Sequence, residues 1–115
     1  MIKQIPSQKI EEYLKQNPKC VLVDVRTSEE WEDDGKPDGE KLGLKTYFVT
    51  VEDKEFFIED FKKLSISQDH EVLSICKSGT RSQFVADLLS KENYNCVNIS
   101  DGFDGWASSG LPIKK

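Results

Sequence analysis

A cysteine begins the polar segment Cys76-Lys77-Ser78-Gly79-Thr80-Arg81, which joins an apolar run at residues 72–75 to an amphipathic stretch. A loop between a buried strand and a helix lies at the carboxyl end of an α/β sheet, where such folds bind ligands. Its backbone N–H groups can converge on one atom, and the following helix adds the positive end of its dipole. Both features stabilise a thiolate and lower the pKa of the cysteine. The segment therefore predicts that Cys76 is a nucleophile.

The rest of the loop has the composition of an anion-binding segment. Gly79 permits a backbone turn that a side chain would obstruct, and Lys77 and Arg81 add two cations that could hold an anionic donor. Four residues separate Cys76 from Arg81, whereas cysteine-dependent phosphatases place five residues between their cysteine and arginine. The position that phosphatase spacing requires holds Ser82. The tighter ring suits a single sulfur atom better than a tetrahedral phosphate.

The other cysteines and the single histidine do not supply a second candidate site. The three cysteines, Cys20, Cys76 and Cys96, include no Cys-x-x-Cys pair, so neither a disulfide framework nor a zinc site is predicted. Cys20 and Cys96 begin predicted strands, away from the loop, and are expected to pack in the core. His70 precedes Cys76 by six residues, which places it about 20 Å away along a strand. We therefore expect no metal, no organic cofactor and no histidine base.

Short β-branched apolar runs alternate with amphipathic stretches along the chain, a pattern typical of a parallel α/β sheet. Strands are predicted at residues 2–5, 20–25, 46–51, 72–75 and 96–99. Helices are predicted at residues 7–16 with Ser7 as N-cap, after a capping box formed by Thr27 and Glu30, at residues 55–64 and at residues 82–92. A loop is predicted at residues 33–43. The last helix is expected to bury Phe84, Val85, Leu88 and Leu89.

Three motifs, in this order, resemble those of the rhodanese family, and together they cover nearly the whole chain. Asp24-Val25-Arg26, followed by Glu30-Trp31, is similar to the family's Asp-Val-Arg motif with its downstream acidic and aromatic residues. The segment from Cys76 to Ser82 resembles the six-residue active-site loop and the residue after it. Asp101-Gly102-Phe103-Asp104-Gly105-Trp106, with Gly110-Leu111-Pro112, resembles the closing Gly-Gly-x-x-x-Trp and Gly-Leu-Pro.

The resemblance implies one domain over residues 1–115, an α/β three-layer fold with a five-stranded, mainly parallel sheet flanked by helices. It also implies that Cys76 accepts a sulfane sulfur as a persulfide. The backbone amides that would cradle this persulfide belong to Lys77, Ser78, Gly79, Thr80 and Arg81. Arg81 is expected to shape the loop against an acid such as Asp24 or Glu30. For Asp24 and Arg26, support of the loop and a purely structural salt bridge both stay open.

Two departures from the family pattern lie outside this loop. Gly35-Lys36-Pro37-Asp38-Gly39-Glu40 stands where the family usually has Gly-His-Ile-Pro-Gly-Ala, so the histidine is missing. Asp101 replaces the first glycine of the closing motif. Neither change touches the predicted sulfur cradle, but we expect the segment around Lys36 to affect access to the site and the choice of substrate.

These observations predict a sulfurtransferase that takes sulfur from a donor such as thiosulfate and passes it to cyanide in vitro or to a cellular thiol. The alternative is a non-enzymatic persulfide carrier or regulatory sulfur-relay module that a partner protein loads. A phosphatase or arsenate reductase on the same fold is disfavoured by the loop length, and an inactive binding domain by the intact nucleophile. The expected partners are a small sulfane-sulfur donor and a thiol acceptor, with a protein acceptor as a further candidate.

Composition argues against two other classes of partner. The 115 residues carry 16 Lys and Arg against 21 Asp and Glu, a net charge of -5. An acidic surface repels phosphate backbones and anionic lipids, so neither nucleic acid nor a membrane is expected. No apolar stretch approaches the roughly 20 residues of a membrane helix, and residues 1–6 lack the apolar core of a signal peptide. We therefore expect a cytoplasmic protein.

Overall fold

Five parallel strands form the central sheet of this computed structural model, which describes residues 2–115. The strands are β1 (Lys3–Ile5), β2 (Cys20–Asp24), β4 (Lys45–Phe48), β5 (Glu71–Ile75) and β6 (Asn95–Ile99). They lie side by side in the order β1-β6-β5-β2-β4, and every neighbouring pair is parallel. The central strand is therefore β5, the strand that leads to Cys76, and β2 lies beside it.

Five α-helices surround the sheet: α1 (Ile10–Gln16), α2 (Ser28–Asp34), α3 (Lys54–Lys63), α4 (Thr80–Ser90) and α5 (Gly102–Ser108). Two 3-10 turns lie at Ser7–Lys9 and Gly39–Leu42, and a small antiparallel pair joins β3 (Lys36–Pro37) to β7 (Ile113–Lys114). Within residues 2–115, none of the helices has both the length and the apolar character needed to cross a membrane.

Residues of the three inner strands, β2, β5 and β6, are divided between two separate hydrophobic clusters, one on each face of the sheet. Leu22 of β2 belongs to the cluster that includes Ile10 of α1 and Trp106 of α5. Its neighbour Val23 belongs to the cluster that includes Phe57 of α3 and Val85 of α4. Because side chains of a strand alternate between faces, this division places helices on both sides of the sheet. The predicted three-layer α/β fold is confirmed.

The prediction that Ser7 caps the first helix is wrong. Residues Ser7–Lys9 form a 3-10 turn, α1 begins only at Ile10, and no side chain caps either element. The hydroxyl of Ser7 instead donates to Asp101 Oδ1 at 2.9 Å, and its backbone amide donates to the same oxygen at 3.0 Å. Asp101, which departs from the family pattern, thus ties the first turn of the chain to the start of α5.

Three other segments differ from the sequence-based expectation by more than one residue. The predicted loop at residues 33–43 contains the end of α2, the strand β3 and a 3-10 turn. The strand β4 ends at Phe48, although the amides of Val49 and Val51 still donate to the carbonyls of Asp24 and Val25. The helix α4 spans Thr80–Ser90, whereas residues 82–92 were predicted. It therefore begins and ends two residues earlier than expected.

The inner face of α4 is rotated from the predicted one. Phe84, expected in the core, is 49% exposed. The buried positions are Ser82, Val85, Ala86 and Leu89, which follow the i, i+3, i+4, i+7 spacing of one helix face. Ser82 and Phe84 are two positions apart and so point to nearly opposite sides of the helix. The prediction for Phe84 is wrong because the helix turns a serine, not a phenylalanine, toward the sheet.

The tie between Asp101 and Ser7 should contribute to stability. Asp101→Ala removes a carboxylate that accepts from both the hydroxyl and the amide of Ser7, so we expect a loss of about 1–3 kcal/mol in the free energy of unfolding. Urea denaturation measures the loss. Glu59→Ala, which removes an exposed carboxylate in the middle of α3, is the control and should change stability by less than about 0.5 kcal/mol. Equal midpoints for Asp101→Ala and wild type would contradict this role for Asp101.

Candidate active site

Cys76 follows directly after β5, at the carboxyl end of the sheet, and α4 begins four residues later at Thr80. Its side chain is buried, with 1% of its surface exposed. Two donors converge on its sulfur: the backbone amide of Gly79 at 3.1 Å and the hydroxyl of Ser82 at 3.3 Å. The sulfur therefore lies inside the turn of the loop, facing the first turn of the helix.

These donors distinguish Cys76 from the other two cysteines. Burial raises the pKa of the Cys76 thiol, but hydrogen bonds from the Ser82 hydroxyl and from the amides of Ser82, Gly79 and Ser78 outweigh it, so the pKa is lowered overall. Burial raises the pKa of Cys20 to about 12, and it does the same for Cys96. Among the three thiols, Cys76 is the one that its surroundings favour as a thiolate.

Two glycines bring the loop into backbone contact with the turn after β6. Gly79 has φ +108, and a Cβ there would lie 2.4 Å from the carbonyl oxygen of Ser100. Gly102 has φ +60, and a Cβ there would lie 2.4 Å from the carbonyl oxygen of Lys77. The amide of Phe103 donates to the carbonyl of Cys76 at 2.7 Å, and the amide of Asp104 donates to the carbonyl of Lys77 at 3.1 Å. The start of α5 therefore holds the backbone of the loop from behind.

Arg81 is held by Glu30, one of the two acids that the sequence left open. Its Nη1 and Nη2 donate to Glu30 Oε1 and Oε2 at 2.7 and 2.9 Å. The predicted capping box is present and orients this carboxylate, since the amide of Thr27 donates to Glu30 Oε1 and the amide of Glu30 donates to Thr27 Oγ1. The Arg81 guanidinium holds the pKa of Glu30 at about 2. This bidentate pair joins α2 to the end of the loop.

Asp24 and Arg26 form a second pair, which is fully buried. Arg26 Nη2 donates to Asp24 Oδ2 at 2.8 Å and to the carbonyl of Gly35 at 3.0 Å. The guanidinium also stacks over the ring of Phe103, 4.1 Å from its centroid. The ion pair lies within the buried interior, and its arginine contacts Phe103, whose amide donates to the carbonyl of Cys76. Support of the loop and a purely structural role both stay predictions.

The two cations of the loop are both matched by carboxylates. The guanidinium of Arg81 faces Glu30, and Lys77 Nζ lies 3.9 Å from Asp104 Oδ1 of α5. The side chain of Lys77 is half-exposed and borders an open groove that Asp33, Asp34 and Lys115 also line. Each cation of the loop therefore lies beside a carboxylate, and the expectation that these cations hold an anionic donor stays a prediction. The contact between Asp104 and Lys77 was not predicted, because Asp104 lies 27 positions further along the chain, in the segment 101–106, and the sequence pattern does not show that the two side chains meet.

The remaining residues of interest lie away from Cys76. His70 precedes β5, at the opposite end of the strand, and its Nδ1 is 3.1 Å from Asp69 Oδ1. Cys20 is buried and Cys96 is partly buried, at the starts of β2 and β6. Among residues 2–115, no cluster of three or more His, Cys, Asp or Glu side chains is arranged to hold a metal ion.

Comparison with known proteins agrees with this geometry. A family model described as rhodanese-like domain matches residues 8–109. An uncharacterized protein of Rickettsia conorii is 34% identical over 119 residues, covering 96% of each chain. A protein of Allochromatium vinosum named sulfurtransferase is 30% identical over 114 residues, covering 98% of this chain and 95% of the relative. The chain belongs to the rhodanese-like domain family.

A solved structure shares the same fold. A protein of unknown function from Rhodopseudomonas palustris, described as a possible tyrosine phosphatase, superimposes with a TM-score of 0.80 at 25% identity. The match covers 98% of this chain and 85% of the other.

The reactivity of Cys76 should show the effect of its donors. Rates of alkylation by a neutral reagent, measured against pH, should rise with a midpoint below the ~8.5 of a free cysteine. The reason is that the Ser82 hydroxyl and the loop amides favour the charged sulfur more than burial disfavours it. His70→Ala, the control, should leave the midpoint unchanged. A midpoint at or above that of a free cysteine would show that the loop does not stabilise the thiolate.

Proposed function

We propose that this protein is a sulfurtransferase that carries a sulfane sulfur as a persulfide on Cys76. The observation that supports this most strongly is the buried thiol that accepts from the Gly79 amide and the Ser82 hydroxyl, in a loop one residue shorter than that of cysteine-dependent phosphatases. Membership of the rhodanese-like family and the relative named sulfurtransferase point to the same class of reaction.

The first half-reaction loads the enzyme. The Cys76 thiolate attacks the outer sulfur of a donor such as thiosulfate, the S–S bond to the sulfite group breaks, and sulfite leaves with the electron pair. The product is a Cys76 persulfide whose outer sulfur bears the negative charge. That sulfur lies about 2 Å beyond Sγ. We assign its binding to the amides of Lys77, Ser78, Gly79, Thr80 and Arg81, because the first N–H groups of a helix have no acceptor within the helix.

The second half-reaction delivers the sulfur. A thiolate or cyanide attacks the outer sulfur, the S–S bond breaks, and Cys76 leaves as a thiolate. Charge balances in both steps without a proton, a metal or an organic cofactor. The proposed partners are therefore a small sulfane-sulfur donor and a thiol acceptor. Glu30 would keep Arg81 in place, and Asp24 and Arg26 would support the loop through Phe103.

A persulfide carrier loaded by a partner protein is the second candidate. Thiosulfate is a dianion, and the cations beside Cys76 face Glu30 and Asp104, with Asp33 and Asp34 in the adjoining groove. This arrangement favours a donor or acceptor of lower negative charge, such as a cysteine persulfide. The same commitment of Arg81 to Glu30 disfavours a phosphatase, because that reaction needs the arginine to bind the phosphoryl oxygens.

The persulfide can be detected by intact mass. Treatment with thiosulfate, followed by removal of the excess, should add the mass of one sulfur atom, and cyanide should remove it. Cys76→Ser should show no gain, whereas Cys20→Ser and Cys96→Ser should behave as wild type because both thiols have raised pKa values. Sulfur found on Cys20 or Cys96, or hydrolysis of an aryl phosphate by wild type but not Cys76→Ser, would overturn the assignment. Loading by a protein persulfide but not by thiosulfate would favour the carrier.

Donor choice should depend on the charges beside Lys77. Asp104→Asn should raise kcat/KM for thiosulfate by about three- to tenfold at low salt, and Lys77→Ala should lower it by a similar factor, because the dianion responds to each charge. Added salt should reduce both effects. Glu59→Gln, which neutralises an exposed carboxylate on α3, is the control for net charge. If all three variants matched wild type at low salt, Lys77 and Asp104 would have no role in selecting the donor.

A further inference from the structure

A line of hydrogen bonds leads from the sulfur of Cys76 into the protein. The hydroxyl of Ser82 lies 3.3 Å from Cys76 Sγ, 3.3 Å from the carbonyl oxygen of Gly79 and 2.6 Å from Asn98 Oδ1. Ser82 is fully buried and Asn98 is 2% exposed, so water does not compete for these bonds. A hydroxyl has one proton and can donate to only one of these acceptors at a time.

The surroundings of Asn98 fix which way its amide points. Its Nδ2 donates to the carbonyl of Gly79 at 3.2 Å and to Gln4 Oε1 at 2.8 Å. A backbone carbonyl can only accept, so the NH₂ group must face Gly79 and the oxygen must face Ser82. A flipped amide would bring two oxygens together at Gly79.

The hydrogen bonds of Gln4 and Gln83 also require Asn98 Nδ2 to be the donor. Gln83 Oε1 accepts from Asn98 Nδ2 at 3.4 Å and also from Gln4 Nε2. Gln83 Nε2 donates to the carboxylate of Asp87 at 3.3 Å, which can only accept. Asn98 Oδ1 is thus held as an acceptor beside the Ser82 hydroxyl, where it competes with Cys76 Sγ for one proton.

We infer that Asn98 is a positioning residue that controls, through Ser82, when the hydroxyl donates to the sulfur of Cys76. In the persulfide, Sγ is an uncharged sulfur and a weak acceptor, so Ser82 donates to Asn98 Oδ1. In the thiolate, Sγ is charged and draws the Ser82 hydroxyl away from the amide oxygen. This inference rests on the proposed function, because it assigns the two positions of the hydroxyl to the two states of Cys76.

The switch matters in the delivery step. As the acceptor attacks the outer sulfur and the S–S bond breaks, the electron pair moves onto Sγ. The Ser82 hydroxyl rotates toward the developing charge and donates to it, without transferring its proton. In the persulfide state the Ser82 hydroxyl therefore donates to Asn98. As the S–S bond breaks, the hydroxyl donates to Cys76 Sγ and stabilises it as the leaving group.

Three variants test the inference through the alkylation pH midpoint of Cys76. Ser82→Ala should raise the midpoint by about half a pH unit or more, because the thiolate loses a donor. Asn98→Leu should lower it by a similar amount, because its closest competitor for the Ser82 proton is gone. The carbonyl of Gly79 remains, but it is neutral and no closer to the hydroxyl than Sγ is. The double variant should match Ser82→Ala, because Asn98 acts only through Ser82.

The charged groups near Cys76, namely Arg81 with Glu30 and Asp24, and Lys77 with Asp104, are unchanged in these variants. Asn95→Leu, at the exposed start of β6, is the matched control and should leave the midpoint unmoved. A purely structural role for Asn98 predicts the opposite sign, since a looser loop raises the midpoint. A raised or unchanged midpoint in Asn98→Leu, or effects that add in the double variant, would overturn the inference. If Asn98→Leu does not fold, Asn98→Ala carries the same prediction.

A second measurement separates this inference from the proposed function. The midpoint needs no sulfur donor, so its order among the variants can hold even if the protein takes up no sulfur. In a protein loaded with persulfide, the single-turnover rate with cyanide should fall about three- to tenfold in Ser82→Ala. It should not fall in Asn98→Leu. An equal loss in both variants would show that Asn98 supports the loop as a whole and does not govern the hydroxyl.

Discussion

Gly79 and Gly102 allow the backbone of the loop after β5 to contact the backbone of the turn after β6. The two segments are so close that a Cβ at either glycine would overlap a carbonyl oxygen of the other segment. The amides of Phe103 and Asp104 then donate to the first two carbonyls of the loop. Because a trans peptide places its N–H opposite its C=O, a Lys77 carbonyl turned toward α5 leaves the amide of Ser78 pointing the other way, to the side of the Cys76 sulfur. The amide of Gly79 donates to the same sulfur. The converging donors that lower the pKa of Cys76 thus depend on a contact between two segments that are distant in sequence.

Two arginine–carboxylate pairs connect the loop to other parts of the fold. Arg81 and Glu30 join the end of the loop to α2, and they are partly exposed. Arg26 and Asp24 are fully buried and reach the loop through the ring of Phe103. Removing one member of a buried pair leaves an uncompensated charge, at a cost of about 3–5 kcal/mol. We therefore expect the loss of one member of the buried pair to destabilise the fold more than the loss of one member of the partly exposed pair.

The alternation of apolar and amphipathic segments was sufficient for the parallel α/β sheet and for the position of Cys76 after a strand, and the resemblance to a known family supplied the three layers. The N-cap prediction for Ser7 was wrong because the carboxylate of Asp101, ninety-four residues away, takes its hydroxyl and amide. The burial of Phe84 was wrong because the helix turns Ser82 toward Cys76. The choice of Glu30 for Arg81 and the approach of Asp104 to Lys77 depend on how helices pack. Asn98 is a polar residue between two apolar residues of a strand, and this exception to the pattern could have indicated a buried polar role.

Substitution of Gly102 tests the dependence of the sulfur site on backbone contact most directly. Gly102→Ala is compared with Gly43→Ala, since both glycines have positive φ, but a Cβ at Gly43 has no atom within 4 Å. The alkylation pH midpoint of Cys76 and the free energy of unfolding are measured in both. We predict that Gly102→Ala raises the midpoint toward the value of a free cysteine and lowers stability more than Gly43→Ala, which keeps the wild-type midpoint. A folded Gly102→Ala protein with the wild-type midpoint would contradict the account.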